Sequence, residues 1–450
     1  MSADLFNKYN VPGPRYTSYP AVPHWKDGDI LSDWPLLAKQ AIHSLPKDSG
    51  IALYIHLPYC ESLCTYCGCN TRITVNHAVE EPYINALCQE WDFYLRNFNG
   101  QVTLAEIHLG GGTPTFFSPE NLSRLIRHIS KEVQLLPDFE FSFEGHPNNT
   151  TFDHLKTLRE LGFCRVSFGV QDMDPVVQDM IHRIQPAENV ERVMNQSRDL
   201  GYSSVNIDLV YGLPKQTIQS VSLTFDEVLK WKPDRIAFYS YAHIPWIKPG
   251  MRKFTETDLP SAPEKRALYD YGRARLEEAG YFEIGMDHFA LESDPLYHAF
   301  QNKKLHRNFM GYSTTNTPLL IGLGVSAISD SFTAFAQNEK TVEGYLNKIN
   351  RGDWAHFKGH VLSTNELNMR KHITNLMCHF ETSWTNDPVV ERCIQDRLEI
   401  WDELIADGLV VLQFGRIEVT ELGKGFVRNI CMTLDPLNVP TETPTFSQTI

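Results

Sequence analysis

Three cysteines, Cys60, Cys64 and Cys67, stand in a CxxxCxxC run just after the apolar stretch Ile51 to His56. Thiolates this close together in one loop can face a single metal centre. They are one ligand short of a four-iron cluster, and equally short of a closed tetrahedral zinc site. A cluster held by three cysteines keeps one iron open to an exchangeable ligand, which points to chemistry at this loop. Cys69 follows at once, but CxC spacing beside CxxC is tight for a tetrahedral zinc knuckle. Nine cysteines is an odd number, and this is no short secreted scaffold, so the four clustered ones read as metal-binding in a reducing compartment. The other five are scattered and read as small buried hydrophobes.

The elements that must position this loop follow from pattern. With 450 residues, 42% hydrophobic and 21% charged, the chain suffices for one large domain and one or two smaller ones. A net charge of −14 argues against a nucleic-acid binder that works by neutralising phosphates. Met1 to Asn10 holds no apolar signal core, and no apolar run approaches the roughly 20 residues that cross a bilayer. A cytoplasmic protein without membrane insertion is expected.

Residues 1–48 are rich in Pro, Tyr and Trp and predict an irregular arm that must pack on something. From residue 51, β-rich segments alternate with helical ones. The strands fall at 51–56, 105–109, 139–143, 165–170, 205–210 and 235–240, with helices at 81–98, 119–133, 152–161, 187–200 and 218–230 between them. Ser118-Pro119 reads as a helix start; Gly162 and Gly201 sit where helices stop. Six β–α units predict an α/β fold, an incomplete TIM-like (β/α)6 barrel, over residues 49–362 with its C-terminal extension. A helix at 263–279 and a strand at 282–286 continue it. Residues 363–435 turn helical (366–378, 389–407, and 423–432), with a hairpin at 409–414 and 417–420, a winged-helix-like arrangement. Twelve acidic against seven basic residues over 361–435 make it a structural cap, not a DNA reader. The tail, 436–450, reads as an extended strap.

Ligands of α/β sheets bind at the carboxyl ends of the strands. There the six predicted strands close in His56, Gly110-Gly111-Gly112-Thr113-Pro114, Glu144, Gln171-Asp172, Asp208 with Tyr211-Gly212, and Tyr241-Ala242-His243. Six polar or bare-backbone endings in register predict one shared pocket. The glycine run offers backbone N–H groups close access to a ligand, and no Gly-Lys-Ser/Thr follows to make it a phosphate loop.

CxxxCxxC after a first strand and Gly-Gly-Thr-Pro after the second resemble the radical S-adenosylmethionine (radical SAM) superfamily. Arg15-Tyr16-Thr17-Ser18-Tyr19-Pro20, Cys67-Gly68-Cys69-Asn70, Gly169-Val170-Gln171-Asp172, Asn206 to Pro214, Gly285 to Ala290, Leu305 to Phe309, Gly324 to Ser329 and Arg428 to Met432 narrow the likeness. They resemble the oxygen-independent coproporphyrinogen III oxidase (coproporphyrinogen dehydrogenase) family of haem biosynthesis. The resemblance implies that Cys60, Cys64 and Cys67 hold a 4Fe-4S cluster whose fourth iron takes S-adenosylmethionine. It also implies that a 5′-deoxyadenosyl radical attacks two propionates of coproporphyrinogen III, leaving vinyl groups and carbon dioxide and giving protoporphyrinogen IX.

Carried over by position, Tyr54, Gly111, Glu144 and Arg183 correspond to contacts with the methionine part, and Gln171 and Asp208 to ribose contacts. Tyr66 and Ala242 correspond to backbone positions around adenine. Gly112, Thr113 and Ile328 correspond to contacts with a second S-adenosylmethionine. Tyr54 and Cys69 are the catalytic candidates besides the cluster ligands; a related haem-trafficking subfamily tends to carry Phe where this chain has Cys69. The implied partners are coproporphyrinogen III and a one-electron donor such as a flavodoxin or ferredoxin, with the chain acting as a monomer. Four propionates call for cations, and Arg15, Arg307, His288 and His306 are candidates, a satisfied buried imidazole being the competing reading for each histidine. The chain departs from the family's pattern at His146, where an acidic residue often precedes the proline, and at Met310, where a glutamine is often found.

Overall fold

The computed structural model describes residues 3–27, 33–46, 48–438 and 446–449. All six expected strands form, each reaching or overrunning its predicted bounds: Ile51–Leu57, Val102–Gly111, Val133–Gly145, Phe163–Gln171, Ser204–Tyr211 and Arg235–Ser240. They pair in chain order and all in parallel, so their carboxyl ends line up along one edge. The helices between them are Glu80–Phe98, Pro119–Ser130, Phe152–Glu160, Ala187–Asp199 and Ile218–Trp231. Ser118 caps its helix by accepting from the Asn121 N–H, with Pro119 in the first turn. Gly162 and Gly201 follow helices at positive φ, 99° and 79°.

The sheet is larger than the sequence suggested, with thirteen strands among the described residues. Beyond the sixth parallel strand lie His288–Leu291 and Tyr281–Ile284, both antiparallel. Beyond the first lies Leu320–Leu323, parallel to it, then Ile328–Asp330, Ala334–Asn338, His356–Val361 and Lys26–Asp27, all antiparallel. The arm is therefore not wholly irregular. It contributes an edge strand and two helices, Ala3–Tyr9 and Trp34–His43. Trp34 drives the second: its indole is buried in the main core and donates to the Tyr94 hydroxyl at 3.0 Å. A short helix, Pro175–Met180, was also not anticipated; Asp174 caps it. The helix expected over 389–407 is two, Pro388–Gln395 and Leu398–Ala406. Arg397 breaks it, because its guanidinium donates to the carbonyls of Met432, Thr433 and Asp435.

The main core packs the sheet against its helices through Trp91, Tyr83, Tyr94, Phe141, Phe163 and Phe168, all fully buried; each such side chain contributes roughly 1.5–3 kcal/mol. A second core joins Tyr9, Tyr16 and Tyr19 of the arm to Met369, Ile373, Trp401 and Ile430. The hairpin there, Val410–Gln413 and Arg416–Val419, gains a third strand, Glu381–Ser383. The Arg428 guanidinium closes the ends of the chain together by donating to carbonyls of Gly13, Pro14, Gln448 and Thr449. The strap read over 436–450 keeps a bridge from Gln448 to Pro12, while 439–445 and 450 lie outside the described residues.

One buried acid gives this core a pH signature. Glu90 accepts from Gly324 N–H, Asn338 Nδ2 and Tyr345 Oη, yet burial pushes its carboxyl up to about 7. Its native pKa lies above the unfolded value, so its contribution to stability is full at acid pH and is lost as pH rises through 7. At about 1.4 kcal/mol per unit that loss is of order 3 kcal/mol. Glu90→Gln is expected to lack it, and urea unfolding of both proteins at about pH 5 and pH 8 measures the difference; identical pH dependence contradicts the assignment.

Candidate active site

The Gly-Gly-Gly-Thr turn and the cysteine loop are built against each other. Gly112 N–H donates to the Leu57 carbonyl at 2.8 Å, and Thr113 N–H to that of Tyr59 at 3.0 Å. A β-carbon on Gly112 would sit 2.4 Å from the Pro58 carbonyl oxygen; one on Gly111, which has φ 117°, would meet the His56 ring at 2.8 Å. Gly111 N–H is taken by Glu144 at 3.3 Å. The expectation that these glycines offer free N–H groups to a ligand is corrected: the groups are used inside the protein, and glycine is there for close approach.

From this base the loop reaches across to the short helix at 175–180. Thr65 N–H and hydroxyl bond the carbonyls of Ile181 and Met180, and His182 Nδ1 bonds Leu63 O at 2.9 Å. The loop lines a cavity of about 320 Å³ with the strand ends, within the range of small-molecule sites. Cys60, Cys64, Cys67 and Cys69 lie on it, as do Tyr66, Gly111, Gly112, Thr113, Glu144, Gln171, Arg183 and Asp208. Of the predicted site, Tyr54, Ala242 and Ile328 are not on its lining. Tyr54 lies close behind: its hydroxyl donates to His56 Nδ1 at 2.9 Å, and its ring meets His108 and the edge of Phe309. Ala242 lines a neighbouring cavity with Tyr241 and Trp246. Ile328 is two strands over from Tyr54, packed on the small core of Trp25 and Phe335.

Charge inside the cavity is distributed by burial and pairing. Arg183 donates from Nη2 to Gly169 O at 2.5 Å and from Nη1 towards Cys64 Sγ at 3.6 Å. Its Nε is buried with no hydrogen-bond partner among the described residues. Asp208 is pushed up to about 7 by burial, helped by nearby Glu144 and opposed by the hydroxyl of Ser167 at 3.1 Å. Glu144 goes the other way: burial raises it, but His108 and Gly111 N–H outweigh that and hold it low. Burial pushes Cys60 up to about 11, against the Thr113 hydroxyl at 3.2 Å. A hydrogen bond between Cys67 and Cys69 lowers the first thiol and raises the second. Gln171 takes the left-handed φ of 69°, a strain concentrated at functional sites.

Sequence reading missed His108 and Tyr239. His108 bonds Ser142 Oγ at 2.8 Å and Glu144 at 3.4 Å, and Tyr239 both lines the cavity and bonds His288 at 3.3 Å. The signal was present as a period of two: Glu106, His108, Gly110 on one strand, Glu140, Ser142, Glu144 on the next, both polar on the same face. Among the four candidate cations, His288 and His306 follow the competing reading of a buried imidazole. Burial drives each down to about 4, so they stand neutral at pH 7, and His306 opens on a different cavity. Arg15 lies 3.7 Å from Asp287 and donates to Ser240 O. Arg307 lies over the Tyr312 ring with its Nε buried and unpartnered among the described residues.

Residues 54–228 match the model of the Radical SAM superfamily. Curated relatives include an oxygen-independent coproporphyrinogen III oxidase of Pseudomonas aeruginosa, 38% identical over 96% of this chain and 95% of that protein. The Escherichia coli protein of that name is 37% identical over 96% and 94%. A solved coproporphyrinogen III oxidase from Escherichia coli, described as a radical SAM enzyme, superposes with a TM-score of 0.87 at 36% identity, over 94% of this chain and 97% of that one. The fold is thus that of a radical SAM protein. Within that class, the chain belongs to the oxygen-independent coproporphyrinogen III oxidase family.

Membership implies a 4Fe-4S cluster and S-adenosylmethionine, and the residues present fit them. Three thiols of one loop share a cavity with an arginine whose Nε lacks an acceptor. Among the described residues no three His, Cys, Asp or Glu side chains already close on one point, as a single ion would need. Cys60, Cys64 and Cys67 line the same cavity, as the ligands of one cluster would.

The packing of the turn is directly testable. Gly112→Ala is expected to destabilise the protein by about 1–3 kcal/mol, because backbone on the far side cannot yield. Gly68→Ala, with open space around it, is expected to be neutral. Thermal unfolding of both separates them; a neutral Gly112→Ala contradicts the contact.

Proposed function

We propose that this protein carries out the oxygen-independent oxidative decarboxylation of two propionate side chains of coproporphyrinogen III, giving the vinyl groups of protoporphyrinogen IX in porphyrin and haem biosynthesis. The observation that carries the reading is one cavity walled by three thiols of a single loop and by the polar ends of parallel strands, in a chain related to these oxidases from end to end. When bound, the cluster and its cosubstrate supply one-electron cleavage and hydrogen-atom abstraction from an unactivated carbon.

The chain's own residues bind, orient and exclude water. Cys60, Cys64 and Cys67 hold the iron, with Thr113 fixing the Cys60 sulfur. Arg183 receives the cosubstrate carboxylate, for which a buried guanidinium is suited. Glu144, kept ionised by His108, and Gly111 take the amino end. Gln171 and Asp208 accept from ribose hydroxyls; an Asp208 that titrates near 7 can also donate. Tyr66 and Ala242 flank the base. Tyr54 orders the reacting side of the site through His56, whose Nε2 bonds Asn70 O at 2.8 Å. Cys69 serves activity without holding iron. Gly112, Thr113 and Ile328 meet a second cosubstrate molecule, with Met310 and His146 shaping that site differently from the family's usual pattern. Arg15 and Arg307 are the propionate cations that remain.

We read the six parallel strands as an incomplete TIM-like (β/α)6 barrel over 49–362, preceded by the arm 1–48 and followed by the helical winged-helix-like domain 363–435 and the tail 436–450. No described helix is long and apolar enough to cross a membrane; we place the enzyme in the cytoplasm, as a monomer fed by a one-electron donor.

Anaerobic incubation of the reconstituted protein with coproporphyrinogen III and S-adenosylmethionine tests the reaction. Protoporphyrinogen IX is expected; cosubstrate cleavage without it overturns the substrate assignment. Cys60→Ser, Cys64→Ser and Cys67→Ser are each expected to give colourless, iron-free, inactive protein. Cys69→Ser is expected to keep its iron, and an iron-free Cys69→Ser contradicts its exclusion from the ligand set.

A further inference from the structure

The segment from Trp246 to Phe254 lies against the outer side of the cysteine loop. Lys248 Nζ donates to the Cys69 carbonyl at 2.8 Å, and a β-carbon on Gly250 would touch Leu63 at 3.3 Å. Met251 and Phe254 anchor the segment in a small core with Val177, Ile181 and Tyr241. That anchoring turns the residues between and before them outward: Trp246 and Ile247 are each 58% exposed, beside Leu63 at 41%, and Arg252 and Lys253 are exposed too. Leu63 lines the cysteine cavity, whereas Trp246, Arg252 and Lys253 do not, so the face begins at the cavity wall and runs outward from it.

Its charge is the reverse of the molecule's. The chain carries −14 overall, yet residues 246–254 contain three cations and no acid. All three bond backbone carbonyls, Arg252 that of Pro245 and Lys253 that of Asp179, and none is in an ion pair among the described residues. Two exposed carboxylates stand nearby without an ion pair among the described residues, Asp179 and Glu256, the latter on the cavity that Trp246 also lines. Glu61 on the loop is turned away to Asn149 Nδ2 at 2.7 Å. An acidic macromolecule is repelled by most of this surface and attracted here, where field and exposed apolar area coincide.

We propose that Trp246, Ile247, Arg252 and Lys253, with Leu63, form the docking face for a small acidic one-electron carrier protein. The inference rests on the radical SAM reading of the loop, which requires an electron from outside. The reduced carrier gives up one electron to the group held behind the loop and leaves oxidised by one. A small face of this kind suits the weak, transient complexes of electron transfer, with an aromatic and an arginine at its centre and charge setting the encounter rate.

The test is binding of an acidic flavodoxin to the full-length protein by isothermal titration calorimetry, at low and at high salt, with basic cytochrome c as control. The parent is expected to bind flavodoxin in a salt-dependent manner and not cytochrome c. The Arg252→Glu/Lys253→Glu double variant, or Arg252→Ala/Lys253→Ala should the reversal not fold, is expected to lose about tenfold in affinity. Flavodoxin-driven turnover should fall with it, while turnover driven by dithionite stays at the parent's level. Unchanged affinity, salt-independent binding, absence of flavodoxin binding to the parent, or an equal fall in both turnovers overturns the docking face. Loss of dithionite-driven turnover in the parent would instead count against the reaction itself.

Discussion

The site depends on the passage of Gly112 beneath the Pro58 carbonyl, where a β-carbon would sit 2.4 Å from the oxygen. There the strand Val102–Gly111 and the strand Ile51–Leu57 both end, and the chain after each must leave in a different direction through the same space. Two hydrogen bonds, Gly112 N–H to Leu57 O and Thr113 N–H to Tyr59 O, then stitch the turn to the root of the cysteine loop. The loop is long and polar, and its cysteines have no disulfide to hold them. The root of the loop is thereby fixed to the sheet, while Thr65 and His182 tie its far side to the short helix Pro175–Met180.

What faces it is a polar stripe made by parallel register. Glu106 stands beside Glu140, His108 beside Ser142, Glu144 beside Ser167, and Gly169 beside Asp208. Buried groups of this kind persist only when they are satisfied, and the pairings show how. Glu140 takes two donors from Arg165, and Arg235 pairs with Asp294. Glu144, nearest the loop, is held ionised, while Asp208, one strand further on from Ser167, is left titrating near 7. Two carboxylates facing one cavity thus stand in different states, set by their neighbours and not by their type. Gly169 completes the stripe by subtraction: a β-carbon there would strike Gln171 Nε2 and Arg183 Nη2, so the bare backbone lets both side chains lie across it.

The strand ends were legible because parallel strands announce themselves as apolar runs, and the first polar residue after each is conspicuous. That is why Glu144, Gln171 and Asp208 were found before any coordinates. His108 and Tyr239 were not, because they lie within the runs, where alternation on the inner face is hidden by apolar neighbours on the outer one. The extra strands at 320–361 escaped for a different reason. They are three to six residues long and pair mostly with each other, so neither periodicity nor length distinguished them from loop. Trp34–His43 was obscured by its irregular, proline-rich surroundings in the arm, although Trp34, Leu37, Ala38, Ala41 and Ile42 recur at helical spacing and pack on the main core. The cysteines were legible by their spacing and Arg183 only as a type; that its Nε is buried without a partner among the described residues needed the fold.

On the proposed ligand assignment, the same burial that shapes the cavity also couples it to protons. Burial pushes Cys60 up to about 11, whereas the hydrogen bond with Cys69 draws Cys67 down to about 6, so the sulfurs of the loop do not ionise together. One guanidinium, Arg183, faces Glu144, Asp208 and four sulfurs within the cavity. Three thiolates together would add more negative charge than it can offset, and only a multivalent cationic centre repays their ionisation. Binding of iron by Cys60 would therefore release its proton. The carbonyl bond from Lys248 to Cys69 places the nearest outside cation on the rim, where it can moderate that charge without competing for the sulfurs.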